Sequence, residues 1–172
     1  ATATGAQNGD TFTLTASTAA TASSPVGTYA ITPLAAGSNL ASYNVVYVDG
    51  TLTVGKATPV ITWANPAGIS YGTPLSATQL DASSTTPGSF AYTPAVGAVL
   101  PVGTDTLSVT FTPTDTATYT SVTQTATLTV SQATLTVTAA NASRAFGAAN
   151  PAFTATATGA QNGDTFTLTA ST

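Results

Sequence analysis

Apolar and polar positions alternate in short runs along this chain, and turn residues separate the runs. Residues 153–158 alternate large or small apolar side chains with Thr, and residues 165–169 alternate again, placing Phe166 and Leu168 on one face. A period of two is the pattern of a half-buried strand. Between these runs lies Asn162-Gly163, a dipeptide suited to the two positive φ angles of a type I′ turn, so a hairpin is predicted. The same hairpin is predicted within residues 1–18, with Asn8-Gly9 at its tip and Phe12 and Leu14 facing inward. Further strands are predicted at 28–32, 45–49 and 51–54, the last two joined through Asp49-Gly50. Beyond them, strands are predicted at 60–63, 75–80, 89–93, 106–112, 123–130 and 134–138. Asn65-Pro66, Gly72, Pro87-Gly88, Pro94 and Pro101 punctuate them, and no stretch sustains a 3.6-residue apolar period. The fold class expected is all-β: tandem antiparallel β-sandwiches.

Residues 1–18, ATATGAQNGDTFTLTAST, recur without substitution at 155–172, an offset of 154 residues. An identity of that length points to slightly more than one period of a tandem array. The chain starts inside the strand-like ATAT run, as a fragment or a mature product would. Two short joints, Gly55-Lys56-Ala57 and Ser131-Gln132-Ala133, lead one strand almost directly into the next unit. They lack the length and Gly/Ser content of a flexible tether, so a semi-rigid rod is expected. At the usual rise per residue, each unit would be on the order of 25–40 Å long.

Composition narrows the chemistry. Of 172 residues only eight are charged: six acids, all Asp, with Lys56 and Arg144 as the two bases. There is no His, Cys, Met or Glu. Imidazole and thiol bases, nucleophiles and metal ligands are therefore missing, and an enzyme is not expected. Two cations cannot neutralise a run of phosphates, so nucleic acid is not expected as a partner. No apolar run reaches the ~18–20 residues of a spanning helix, and no membrane insertion is expected. Thr and Ala make up more than two-fifths of the chain, leaving a thin set of large core-formers. Without disulfides, each domain depends on that core alone.

A few positions offer chemistry. Asp10, Asp49, Asp105, Asp115 and Asp164 sit in turn-like contexts; calcium could bridge such carboxylates, but turn capping accounts for them without the spacing of a calcium loop. Lys56 invites an isopeptide crosslink but lies in a joint, and both cations are expected to pair loosely with Asp. Trp63, Tyr71, Tyr92 and Tyr119 could make a sugar-stacking platform, though core packing is the simpler role. Asn141-Ala142-Ser143 is a possible glycosylation sequon on a loop, and exposed Thr hydroxyls are further candidate glycan sites. The Thr-x-Thr runs are too irregular for the flat Thr arrays of ice binding.

The segment from Thr134, TLTVTAANASRAFGAANPAFTATATGAQNGDTF, resembles the opening of the MBG-type repeats of large bacterial surface proteins. SSPVGTYAITP followed by NVVYVDGTLTV, within 23–54, resembles the close of the same repeat. PVITWANPAGISYGTPLSATQL at 59–80 and VTFTPTDTATYTSVTQTATLTV at 109–130 resemble a bacterial Ig-like repeat. The resemblance implies secreted or surface-attached stalks, spacers or filament bodies, with no cofactor. It also implies a permuted phase: a complete Ig-like sandwich at 58–132, flanked by the closing part of an MBG-like sandwich at 1–57 and the opening part of the next at 133–172. A 40-residue piece cannot bury enough surface alone, and its open edges would template association. Either one very long chain continues the array, or separate copies complete each other, with 133–154 of one supplying strands to 19–57 of the next. The function expected is a structural segment of an extracellular filament or surface stalk; an adhesin with a sugar- or protein-binding face is the alternative.

Overall fold

In the computed structural model, which describes residues 1–169, eleven strands and one 3₁₀ turn are formed, and the architecture is all-β. The chain divides into two units: Ala1–Thr58 with the loop Asp115–Thr120, and Pro59–Thr114 with the chain from Ser121 onward.

The first unit is a single antiparallel sheet of β1 (Thr13–Ser17), β2 (Gly27–Ala36) and β3 (Gly50–Val54) in the order β1-β2-β3. Thr15 pairs with Leu34, and Tyr29 with Leu52. Strict alternation along β2 gives Tyr29, Ile31, Pro33 and Ala35 one half-buried face. Nothing in this unit is fully buried, because no second sheet covers that face.

The second unit holds the core. A four-stranded sheet runs β5 (Ile69–Ser70), β9 (Val122–Ser131), β8 (Gly103–Pro113), β7 (Gly88–Thr93), and β4 (Ile61–Thr62) pairs with β6 (Ser83–Ser84). Leu107, Val109, Leu128 and Val130 alternate inward from β8 and β9 and meet Trp63, Leu75, Leu80 and Leu100, while Phe111 of β8 is buried against Phe90. Their burial is the main stabilising term of the molecule. A separate ladder pairs β10 (Thr136–Ala139) with β11 (Ala155–Thr158).

Several expected elements differ. One pairing is parallel, β5 with β9, where only antiparallel pairs were expected. Residues 45–49 form no strand, and Gly50 already lies within β3 opposite Ile31, so Asp49-Gly50 is no hairpin turn. Residues 75–80 are a loop and a turn rather than a strand: Pro74, just before them, bridges Val99, and the amides of Gln79 and Leu80 both donate to the Ser76 carbonyl at 3.1 Å. Leu75 and Leu80 still enter the core from this loop, since burial needs only a side chain pointing inward. The predicted hairpins at 1–18 and 153–169 do not close as ladders, because β1 pairs with β2 and β11 with β10.

Candidate functional site: an open apolar face in the first unit

The two copies of the eighteen-residue repeat form the same turn. Asn8 and Gly9 take φ of 54° and 77°, and Asn162 and Gly163 take 52° and 77°. Asp10 donates its amide to the Gln7 carbonyl at 2.9 Å, and Asp164 to the Gln161 carbonyl at 2.8 Å. Turn chemistry is local, so identical residues give identical geometry.

The flanking runs behave oppositely. Ala155–Thr158 is strand β11 because β10 lies beside it, whereas the identical residues 1–4 have no ladder partner and are exposed. Thr13–Thr15 lie in strand β1 because β2 lies beside them, whereas the identical residues 167–169 are unpaired; the counterparts of Ala16 and Ser17 lie outside the described residues. The first copy thus shows the β1–β2 pairing of the repeat, and the second copy its β10–β11 ladder.

Where residues 1–4 lie unpaired, the first unit is open. A groove of about 700 Å³ is lined by Phe12, Leu14 and Ile31 of the uncovered face, by residues 1–6, and by Tyr43 with residues 44–48. Val46 and Val48 along its lip are 78% and 77% exposed. That is the surface a second sheet layer would bury.

One polar cluster fixes the turn to this groove. Asp10 accepts hydrogen bonds from the Tyr43 hydroxyl at 2.7 Å and the Asn39 amide at 2.6 Å. The Gln7 amide donates to the Tyr43 oxygen at 2.9 Å, and Phe12 packs edge-on to the Tyr43 ring at 5.2 Å. Hydrogen bonding from Tyr43, then from Asn39, holds the Asp10 carboxyl below the usual carboxylate range. The bond to Asp10 raises the Tyr43 phenol. Asn39 and Tyr43 carried no sequence signal, since each is an ordinary loop residue until the fold brings it to Asp10.

The remaining candidates are dispersed. Asp115 caps its turn, accepting from the amides of Ala117 and Thr118 at 3.0 and 3.1 Å, and hydrogen bonding from the Thr118 side chain, then from its amide, lowers the Asp115 pKa. Asp49 is exposed; Asp105 is half-buried, with Oδ2 unpartnered. Among the described residues, no three acids gather as a metal would need. Lys56 donates to the Thr116 carbonyl at 2.6 Å, with Asp115 close enough to feel its charge. Arg144 bonds Asn150 at 2.7 Å instead of the Asp expected, because its own loop supplies the nearer acceptor. Trp63 is buried, donates to the Gln79 carbonyl at 3.1 Å and meets Tyr92 edge-on at 5.5 Å, so it cannot be a sugar platform. Tyr71 also packs on this core, Tyr119 is half-buried, and Asn141 is exposed on the β10–β11 loop.

Both joints are held by backbone contacts. Ala57 bridges Tyr119, with Ala57 donating to Thr118 and Thr120 to Ala57, both at 2.9 Å. Gly55 precedes this pair and is exposed. Tyr71 donates its amide to the Ser131 carbonyl at 2.8 Å, and Ser131 Oγ bonds the Ile69 carbonyl at 3.2 Å. Gln132 and Ala133 line a small hollow with Tyr71, Gly159 and Gln161. Among the described residues, no helix is long and apolar enough to cross a membrane.

Comparison with known proteins matches the MBG domain (YGX type) at residues 1–53 and 135–172. No curated protein and no solved structure matches the chain. The matched segments flank the buried sandwich in sequence and carry the open sheet and the β10–β11 ladder. Together they span more than half of the sequence, and the chain belongs to the MBG domain (YGX type) family.

Proposed function

We propose that this chain is a repeating structural segment of an extracellular filament or giant surface stalk, without catalytic activity. MBG domains are typical of bacterial surface proteins. In this reading, β-sandwiches are joined end to end, and the open MBG unit is completed by the adjacent repeat or subunit. The intervening residues 58–132 serve as an Ig-like spacer, and the partners are other copies of the same segment.

One observation carries the reading. An identical sequence is a strand where its neighbour is supplied and an unpaired run where it is not. In this reading, the second layer of the unit comes from the neighbouring repeat or subunit. Short, hydrogen-bonded joints suit a rod, and a surface with few charges suits a body whose strand edges are covered.

Imaging the native material tests this. The reading predicts continuous filaments whose axial repeat is two sandwich lengths; dispersed single molecules would contradict it. Intact-mass measurement of the same material distinguishes a very long chain from subunits of 16.8 kDa.

A further inference from the structure

Among the described residues, the ladder of β5 with β9 is the one pairing of strands that is parallel, and it joins the segment entering the buried sandwich to the strand leaving it. We propose that this pairing is a force clamp: tension passed along the chain from joint to joint loads it in shear, so the sandwich resists being pulled open. The geometry belongs to this chain alone; its use against tension rests on the filament reading.

The clamp can be followed residue by residue. In the second unit, Ile69 lies opposite Val130 and Ser70 opposite Ser131. The Tyr71 amide donates to the Ser131 carbonyl at 2.8 Å, and Ser131 Oγ donates to the Ile69 carbonyl at 3.2 Å. A Cβ on Gly68 would fall 3.1 Å from the Thr129 carbonyl oxygen, so the two backbones touch there as well. Asn65-Pro66 interrupts the entering strand, because proline has no amide to donate. A side chain fills that gap: Asn65 Oδ1 accepts from the Thr127 amide at 2.9 Å. These contacts keep a separation of 61 or 62 residues throughout. The first unit repeats it at Ala57, which bridges Tyr119 in parallel, donates to Thr118 and accepts from Thr120, both at 2.9 Å.

Strand direction decides how such a contact fails under tension. The chain runs into β5 at its first residue and leaves β9 at its last. In a parallel pair those two points lie at opposite ends of the contact, so pulling on them slides one strand along the other. The bonds then share the force and must break together. A pair pulled apart from one end puts the force on its outermost bond, and the bonds break one after another.

The strand that takes the force is anchored. β9 pairs along its other edge with β8, from Val122 opposite Phe111 to Val130 opposite Gly103. Its inward side chains Ala126, Leu128 and Val130 are buried, and Ile69 and Tyr71 pack on the same core. The contact uses main-chain groups and neutral side chains, so salt does not screen it.

Single-molecule force measurement tests this on the full chain, which has no cysteine and so accepts a handle at any chosen pair of positions. Lys56→Cys with Gln132→Cys pulls from joint to joint. Lys56→Cys with Thr116→Cys pulls the same segment away from one end of its partner, since Lys56 bonds the Thr116 carbonyl at 2.6 Å. All three positions are exposed, so the handles leave the core intact. Forced unfolding reads the unfolding barrier along the direction pulled. The proposal predicts a several-fold higher unfolding force from joint to joint than from one end, at equal loading rate. It also predicts that Asn65→Ala lowers the joint-to-joint force and leaves the one-end force unchanged. Equal forces in the two directions overturn it, and so does an Asn65→Ala variant that lowers both alike. If the forces are equal while native material images as filaments, the clamp falls and the filament reading stands. If the forces differ as predicted while native material images as single molecules, the filament reading falls and the clamp stands as a property of the sandwich.

Discussion

Tyr43 donates its hydroxyl to Asp10 at 2.7 Å, bridging 33 residues and tying the first turn of the chain to the loop between β2 and β3. The consequence is a pH dependence in the first unit. Asp10 has a lowered folded pKa, so its contribution is present above its unfolded value of 3.8 and is lost as pH falls through the lower folded value. Tyr43 has a raised folded pKa, so its contribution is present below 10.0 and is lost as pH rises through the higher folded value. Carboxyl NMR should find Asp10 titrating below the normal range in the unaltered chain and returning toward it in Tyr43→Phe. An Asp10 that titrates identically in both would remove Tyr43 as the cause.

Packing should divide the molecule sharply. Leu107 is fully buried, and Leu107→Ala is expected to destabilise the second unit by about 2–5 kcal/mol through lost burial and a residual cavity. Val48 is 77% exposed, and Val48→Thr should change stability by less than about 0.5 kcal/mol in the isolated chain. Denaturant unfolding measures both. A large loss from Val48→Thr in the isolated chain would mean that the groove is already closed.

Gly72 has φ of +92°, and a Cβ there would fall 2.7 Å from Cβ of Gln161. Gly72→Ala should therefore cost more than about 1 kcal/mol, from the strained backbone together with displacement of the 159–164 turn. Gln161→Gly relieves the contact but not the strain, so the double variant should recover only part of the loss. Full recovery in thermal melts would place the whole effect in the contact.

Much of the fold was legible in the residues, and the limit was physical. Asn8-Gly9 and Asn162-Gly163 form the predicted turn because its geometry depends on neighbours in sequence. Val109, Phe111, Leu128 and Val130 lie inward as alternation requires, because a paired strand fixes which face each side chain takes. Residues 45–49 have the composition of a strand and form none, because β-branched residues favour a strand but a ladder needs a partner. The same holds for residues 1–4 and 167–169, whose alternation is as good as that of their paired twins. Loop contacts such as Asn39 to Asp10 join residues distant in sequence, and no spacing announced them. The parallel β5–β9 pair was likewise invisible, since a strand of two residues leaves no periodicity to read.

The central claim is that the first unit is half of a sandwich, closed by the segment that precedes its repeat in the array. Amide hydrogen exchange on a two-period chain, with residues 1–154 running directly into a second full copy, tests it most directly. The account predicts that residues 45–48 and the ATAT run exchange slowly in the second unit, whose groove receives β10 from the first period. The same residues at the start of the chain should exchange fast at concentrations too low for association. Equal, fast exchange in both places would contradict it.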